Sequence, residues 1–256
     1  MTMRRHFSLH KRRFGQHFLN SKRIAQRIVD CARITGESVI EIGAGKGIMT
    51  QFIAAQANEV IAIEIDATLA ARLRREKIVN AVVLQKDFLA VSLKEFHNAV
   101  VIGNIPYAIS TAILHKLVSE RESIKRIVLT LQKEFAQRLV AEKGTTQYGA
   151  LTLYVDCYFD VTKKFAIPAR FFTPSPKVNS VVVVFEKKRP IITINDEEKF
   201  FAFVNGIFRY RRKSLKNAIE YSMHCVPHGI EKRILMRRPA NLSLTDYYLL
   251  YSRMKQ

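Results

Sequence analysis

Acidic residues are scarce in this chain of 256 residues: 22 Asp and Glu face 42 Lys and Arg, a formal net charge of +20. None precedes Asp30, and the basic residues cluster, most densely from Arg209 to Lys216. Such a balance argues for a polyanionic partner, because each phosphate neutralised releases condensed counterions. Cysteine is rare as well. Cys31, Cys157 and Cys225 are odd in number, far apart and in no ligand spacing. That pattern speaks against a disulfide framework and against zinc, and for a reducing compartment. Apolar runs are short, and none approaches the ~20 residues that a membrane span needs. The N-terminus lacks the apolar segment of a secretory signal, although its arginines and missing acids leave an organelle-targeting role open. A cytoplasmic protein is expected. Internal repeats and low-complexity tracts are also absent.

What is present reads as alternating strands and helices. A basic arm over residues 1–20 leads to Asn20-Ser21, which can cap a helix over 22–32. Short apolar strands follow at 38–42, 59–64, 81–85, 99–103 and 124–131, with helices at 48–57, 68–76, 109–119 and 134–141 between or after them. Apolar strands alternating with helices predict an α/β fold, a parallel sheet covered on both faces. Residues 151–161 fit either helix or strand, and the run Ser180 to Phe185 gives the sheet a β-rich close. Glu186-Lys187-Lys188-Arg189-Pro190 marks a boundary, so that residues 1–188 form the large domain and 189–256 a small helical one. Phe200, Phe201, Val204, Ile207 and Phe208 make the apolar stripe of the latter.

Two constellations carry chemistry. Glu41-x-Gly43-x-Gly45-x-Gly47 follows a strand and opens a helix, where glycines let the backbone turn sharply and approach a ligand. Glu64, at the end of the second strand, can accept hydrogen bonds from both hydroxyls of a ribose. Asp87, after the third strand, can accept from an adenine amine, with Phe88 beside it for the ring. This set also suits NAD. The chain lacks a spaced His or Tyr–Lys pair for nicotinamide chemistry, so S-adenosylmethionine is the cofactor expected. Asn104-Ile105-Pro106-Tyr107 ends the fourth strand. The Asn104 side-chain oxygen and the Ile105 carbonyl can accept from the two N–H groups of an exocyclic amine and so expose its lone pair to an electrophilic methyl. Pro106 stiffens the turn and donates nothing, and Tyr107 can stack on the base. A base drawn into such a pocket needs a second aromatic wall, for which Phe172 is the candidate.

Taken together, Phe14-Gly15-Gln16-His17-Phe18-Leu19, the Gly43 to Gly47 turn, Asn104-Ile105-Pro106-Tyr107 and Phe172-Thr173-Pro174-Ser175-Pro176-Lys177-Val178 resemble the ribosomal RNA adenine N6-dimethyltransferases, the KsgA/Erm family, over residues 11–220. The resemblance implies a Rossmann-like class I methyltransferase sheet with helices on both faces, a small C-terminal helical domain, and transfer of two methyls to N6 of an RNA adenine. It carries family binding positions to Gly43, Glu64, Asp87 and Asn104, and to His17 and Leu19 through main-chain contacts with the methionine part. Gln16, Gly45, Ile65 and Phe88 complete the expected cofactor set. No metal is expected. Arg12, Arg13, Lys177, Arg209, Arg211, Arg212, Lys213 and Lys216 are the expected RNA contacts.

Two branches of the family compete. Leu131-Gln132-Lys133-Glu134, Gln147-Tyr148-Gly149-Ala150-Leu151, Tyr158-Phe159-Asp160-Val161 and Arg211-Arg212-Lys213-Ser214-Leu215 resemble KsgA, which modifies two adjacent adenines near the 3′ end of small-subunit rRNA. Ile105 and the Gly45-Lys46-Gly47 step look more like Erm, which modifies large-subunit rRNA and confers macrolide resistance. Ala108 stands where Asn is common, and His17 replaces the more usual Asn. The longer matches favour the KsgA branch, acting as a monomer on rRNA in a small-subunit precursor particle. A non-catalytic nucleic-acid-binding factor on the same scaffold is the alternative of a different class, and Glu64, Asp87, Asn104 and Tyr107 argue against it.

Overall fold

The computed structural model describes residues 16–224 and 229–254. The expectations placed on Arg12, Arg13, Phe14, Gly15 and Cys225 lie outside the described residues. The elements begin with β1 (Phe18–Leu19), α1 (Lys22–Asp30), β2 (Ser38–Ile42), α2 (Ile48–Ala54), β3 (Glu59–Glu64) and α3 (Ala67–Arg75). Next come β4 (Ala81–Gln85), β5 (Ala99–Asn104), α4 (Ser110–Ser119), β6 (Ile124–Gln132), α5 (Lys133–Leu139) and α6 (Ala150–Asp156). β7 (Phe159–Ile167), β8 (Phe172–Thr173) and β9 (Ser180–Lys187) lead into α7 (Glu197–Arg209), α8 (Leu215–Met223), α9 (Lys232–Leu235) and α10 (Leu244–Met254).

Seven strands form one sheet in the order β4-β3-β2-β5-β6-β9-β7. β4, β3, β2, β5 and β6 run parallel in sequence-legible fashion. β9 pairs antiparallel with β6, Val184 opposite Val128, so the sheet is mixed where a parallel one is expected. The central strands are apolar on both faces because helices cover both. Val100, Val101 and Ile102 of β5 are wholly buried, whereas the edge strand β4 leaves Val82 56% exposed. Residues 151–161, open between helix and strand in the sequence, divide into α6 and the start of β7.

The segment read as part of an arm does not behave as one in its last residues. β1 pairs antiparallel with β8, Phe18 opposite Thr173 and Leu19 opposite Phe172. The Asn20 N–H donates to the Phe171 carbonyl at 2.9 Å, and Ser21 caps α1 by accepting from Ile24 N–H.

The chain divides into two compact units. The first runs to Ala136 and resumes over Asp160–Lys187; the second takes Gln137–Phe159 and the chain from Lys188 onward. A single boundary after residue 188 therefore misplaces residues 137–159. Within the second unit, Phe200, Phe203, Val204 and Ile207 of α7 are buried with Tyr247 and Leu250 of α10. Phe208 stacks on Tyr247 at 5.5 Å between ring centroids, and the Tyr247 hydroxyl donates to the Pro239 carbonyl at 3.0 Å. Among the described residues, no helix is long and apolar enough to cross a membrane.

Candidate active site

The first unit gathers the expected cofactor residues at the carboxyl ends of β2, β3 and β4. The turn from β2 to α2 takes left-handed backbone at Gly47, φ +78°, where a methyl group would stand 2.6 Å from Leu73 Cδ1. A methyl on Gly45 would meet the Phe18 ring at 3.3 Å. Only glycine allows this path. Glu64 closes the turn from the side. It is 1% exposed, and its carboxylate accepts the Gly45 N–H at 2.7 Å and the Asp66 N–H at 2.9 Å. Burial raises its pKa, opposed by those two N–H groups.

A cavity of about 470 Å³ opens beside it, lined among others by Glu64, Ile65, Asp87, Phe88, Ile109 and Ile113. Gln16 and Gly43 also line it. Asp87 sits at its rim in two capacities, because its carboxylate also accepts the Leu89 N–H at 2.9 Å and caps the short turn Phe88–Ala90. One oxygen caps the start of that turn while the residue still faces the cavity. Phe88 is buried, with the Lys116 ammonium 5.8 Å from its ring centre.

Sequence reasoning assigned no role to Glu41 beyond its place in the glycine motif. It is wholly buried in β2; its Oε2 accepts the Thr50 hydroxyl at 2.6 Å and its Oε1 has no hydrogen-bond partner. Burial pushes its carboxyl up to about 7, with the Thr50 hydrogen bond opposing and the Glu64 charge adding. It faces a recess of about 30 Å³ shared with Leu19, Gly43, Lys46, Met49 and Asn104. The signal was there: an acid between Ile40 and Ile42 in a strand otherwise apolar on both faces.

The second constellation lies at the end of β5. Asn104 Nδ2 donates to the His17 carbonyl at 2.9 Å. With the nitrogen anchored, the carboxamide oxygen is the group left to accept from a substrate. The His17 main chain, expected against the methionine part of the cofactor, is thus engaged by Asn104 through its carbonyl. Tyr107 opens a short 3₁₀ turn, its hydroxyl 2.6 Å from Ser180 Oγ and its ring 5.4 Å from that of His17 at 31°. Ser180 was not foreseen. A small cavity of about 40 Å³ lined by Gly45, Glu64, Asn104, Ile105, Pro106 and Tyr107 joins this corner to the cofactor residues.

Phe172 is placed otherwise than expected. Phe172 pairs with Leu19 in β1 and is 3% exposed, within the buried hydrophobic cluster that also holds Leu19, Ile24, Ile28 and Ile167. It lines none of the three cavities described here, and so presents no open wall to a base. Lys177 is exposed. In the second unit Arg209, Arg212, Lys213 and Lys216 are exposed, but Arg211 is not a free cation: its guanidinium donates to the Thr146 carbonyl at 2.7 Å.

The family model for ribosomal RNA adenine dimethylase matches residues 7–255. The chain belongs to that family. Its members are S-adenosylmethionine-dependent methyltransferases, and this chain is one of them. The ribosomal RNA small subunit methyltransferase A of Geobacillus thermodenitrificans is 37% identical over 240 residues, 89% of this chain and 81% of that protein. The protein of the same name from Hydrogenobaculum sp. is 34% identical over 244 residues, 94% of this chain and 92% of its own. Among solved structures, a dimethyladenosine transferase from Plasmodium falciparum aligns with a TM-score of 0.81 at 28% identity, covering 93% of this chain and 98% of that one. The 23S rRNA methyltransferase ErmE aligns with a TM-score of 0.67 at 25% identity, covering 93% and 100%. The fold is therefore that of class I rRNA methyltransferases, with the mixed seven-stranded sheet and C-terminal helices described above.

Proposed function

We propose that this dimethylase transfers methyl groups from S-adenosylmethionine to N6 of adenines in small-subunit rRNA, two adjacent adenines near the 3′ end, acting as a cytoplasmic monomer on a precursor particle. The observation that carries the chemistry is the Asn104 carboxamide, anchored through its nitrogen to His17 beside the cofactor residues. The names of the Geobacillus and Hydrogenobaculum relatives support the small-subunit target.

The residues present fit the cofactor. The cavity beside Glu64 has the volume of a small-molecule site. Glu64 and Asp87 stand at the ends of β3 and β4 for the ribose hydroxyls and the adenine amine, and Ile65, Phe88 and Ile109 supply an apolar seat. The unpaired Glu41 oxygen at the neighbouring recess suits a cationic ammonium group. When bound, S-adenosylmethionine supplies an electrophilic methyl on a sulfonium.

The chain's own residues then deal with the acceptor. An adenine amine is a poor nucleophile because its lone pair is delocalised into the ring. Hydrogen bonds from its two N–H groups to the Asn104 oxygen and the Ile105 carbonyl favour the pyramidal form and aim the lone pair. Tyr107, held by Ser180, offers a restrained face for the base. No residue of shifted pKa need remove the proton, since the amine turns acidic once alkylated.

The test is isotopic. Label from S-adenosylmethionine should enter the rRNA of a 30S particle isolated from cells that lack this gene. Labelling of protein-free 23S rRNA alone would transfer the protein to the ErmE type, and failure to bind the cofactor by calorimetry would leave a nucleic-acid-binding factor.

A further inference from the structure

His17 stands where three segments distant in sequence meet. Its carbonyl accepts from Asn104 Nδ2 at 2.9 Å, its ring centre is 5.4 Å from that of Tyr107, and its Nδ1 lies 2.7 Å from the Pro174 carbonyl oxygen. A carbonyl oxygen only accepts, so Nδ1 carries a hydrogen and donates. Main-chain pairing brings the same two segments together: Asn20 N–H to Phe171 O at 2.9 Å, and Leu19 opposite Phe172. The histidine side chain extends that pairing from the strand to the loop beyond it.

We propose that His17 is a positioning residue for the target base, holding the Asn104 carboxamide and the Tyr107 ring in register and tying both to the Pro174 loop. This rests on the methyl-transfer reading above. The ring spacing decides which part His17 plays. A base held between two rings needs two carbon contact distances of about 3.5–4 Å each, and 5.4 Å leaves no room for one. His17 therefore backs Tyr107 and leaves the tyrosine's other face to the base. Ser180 restrains the same tyrosine at its hydroxyl, 2.6 Å away. A ring held at two points is already ordered when the base arrives, so stacking does not have to freeze it. Phe172 is in the core, so Tyr107 and its support carry this function between them. An asparagine at this position could present an amide nitrogen toward the Pro174 carbonyl but would have no ring to set against Tyr107.

The experiment uses the full chain with His17→Ala, His17→Asn and His17→Phe. His17→Asn keeps the donor and loses the ring; His17→Phe keeps the ring and loses the donor. The parent protein is assayed first, and a parent that methylates no adenine removes the methyl-transfer reading and this inference with it. With an active parent, calorimetric affinity for S-adenosylmethionine should stay within a few-fold in all three variants. The single-turnover rate at saturating RNA should fall roughly tenfold or more in His17→Ala, with partial recovery in His17→Asn and in His17→Phe. An RNA carrying 2-aminopurine at the target should lose most of its fluorescence response with His17→Ala. A parental rate in His17→Ala, or losses accounted for wholly by weaker cofactor binding or a lower Tm, would overturn the proposal.

Discussion

The Glu64 carboxylate accepts the Gly45 N–H at 2.7 Å, which couples the end of β3 to the middle of the glycine turn. The acid proposed for the ribose is thus also a strut of the turn that approaches the ligand. Its other oxygen accepts Asp66 N–H, and Asp66 in turn caps α3 by accepting from Thr68 and Leu69 N–H at 2.8 and 3.1 Å. A rigid chain of hydrogen bonds runs from the helix start to the turn, so the site is organised before a ligand enters.

Glu64→Ala should weaken S-adenosylmethionine binding by about 1.5–3 kcal/mol, the worth of a hydrogen bond to a charged group. It should also lower the stability of the cofactor-free protein, because the buried Gly45 N–H loses its acceptor. Isothermal calorimetry and urea unfolding measure the two effects, and unchanged affinity would remove Glu64 from the cofactor site.

Asn104→Ala should behave in the opposite way. Cofactor affinity should stay within a few-fold while single-turnover methylation falls by roughly two orders of magnitude or more, the scale of losing a preorganised polar group in a reaction site. A variant with full turnover would contradict its role as acceptor.

Glu41 gives a pH dependence. Folding raises its carboxyl from an ordinary value near 4.5 to about 7, so the native state holds that proton more tightly than the unfolded chain does. The associated stability is complete below about pH 4.5 and is lost as pH rises through about 7. In the cofactor-free protein this loss should reach about 3 kcal/mol by pH 8. Urea midpoints at pH 5 and pH 8 should therefore differ more for the parent than for Glu41→Gln, which does not titrate. Equal pH dependence in the two would mean that Glu41 is already ionised at pH 5.

Two neighbouring arginines should separate cleanly. Arg212→Glu should weaken RNA binding and flatten the dependence of log K on log salt by about one unit, since one phosphate contact is lost. Arg211→Ala should instead lower stability by about 0.5–1.5 kcal/mol, because the guanidinium donates to the Thr146 carbonyl. Denaturant midpoints and filter binding across a salt series distinguish them, and a reversal of the two phenotypes would contradict the placement.

Much of the sheet was legible because buried parallel strands read as short continuous apolar runs; β2, β3, β4 and β5 stand within a residue of their expected limits. The direction of β9 was not legible, since a buried antiparallel strand has the same composition. The grouping of residues 137–159 with the later helices depends on contacts distant in sequence, such as the Tyr148 hydroxyl with the Leu242 carbonyl at 2.9 Å. The glycine turn and Asn104 could be picked out because residue type and strand position together define their chemistry. Their supports could not: His17 and Asn104 lie 87 residues apart, Tyr107 and Ser180 73. Phe172 was misjudged for a related reason, because its strand partner Leu19 is distant in sequence.

The most direct measurement is a crystal structure of the protein with S-adenosylhomocysteine and a short RNA stem-loop carrying the target adenine. The account predicts that adenine turned out of its stack, with N6 within hydrogen-bonding distance of Asn104 Oδ1 and the Ile105 carbonyl oxygen and its ring against Tyr107. An Asn104–Tyr107 corner filled by the protein's own side chains, with the adenine bound elsewhere, would contradict it.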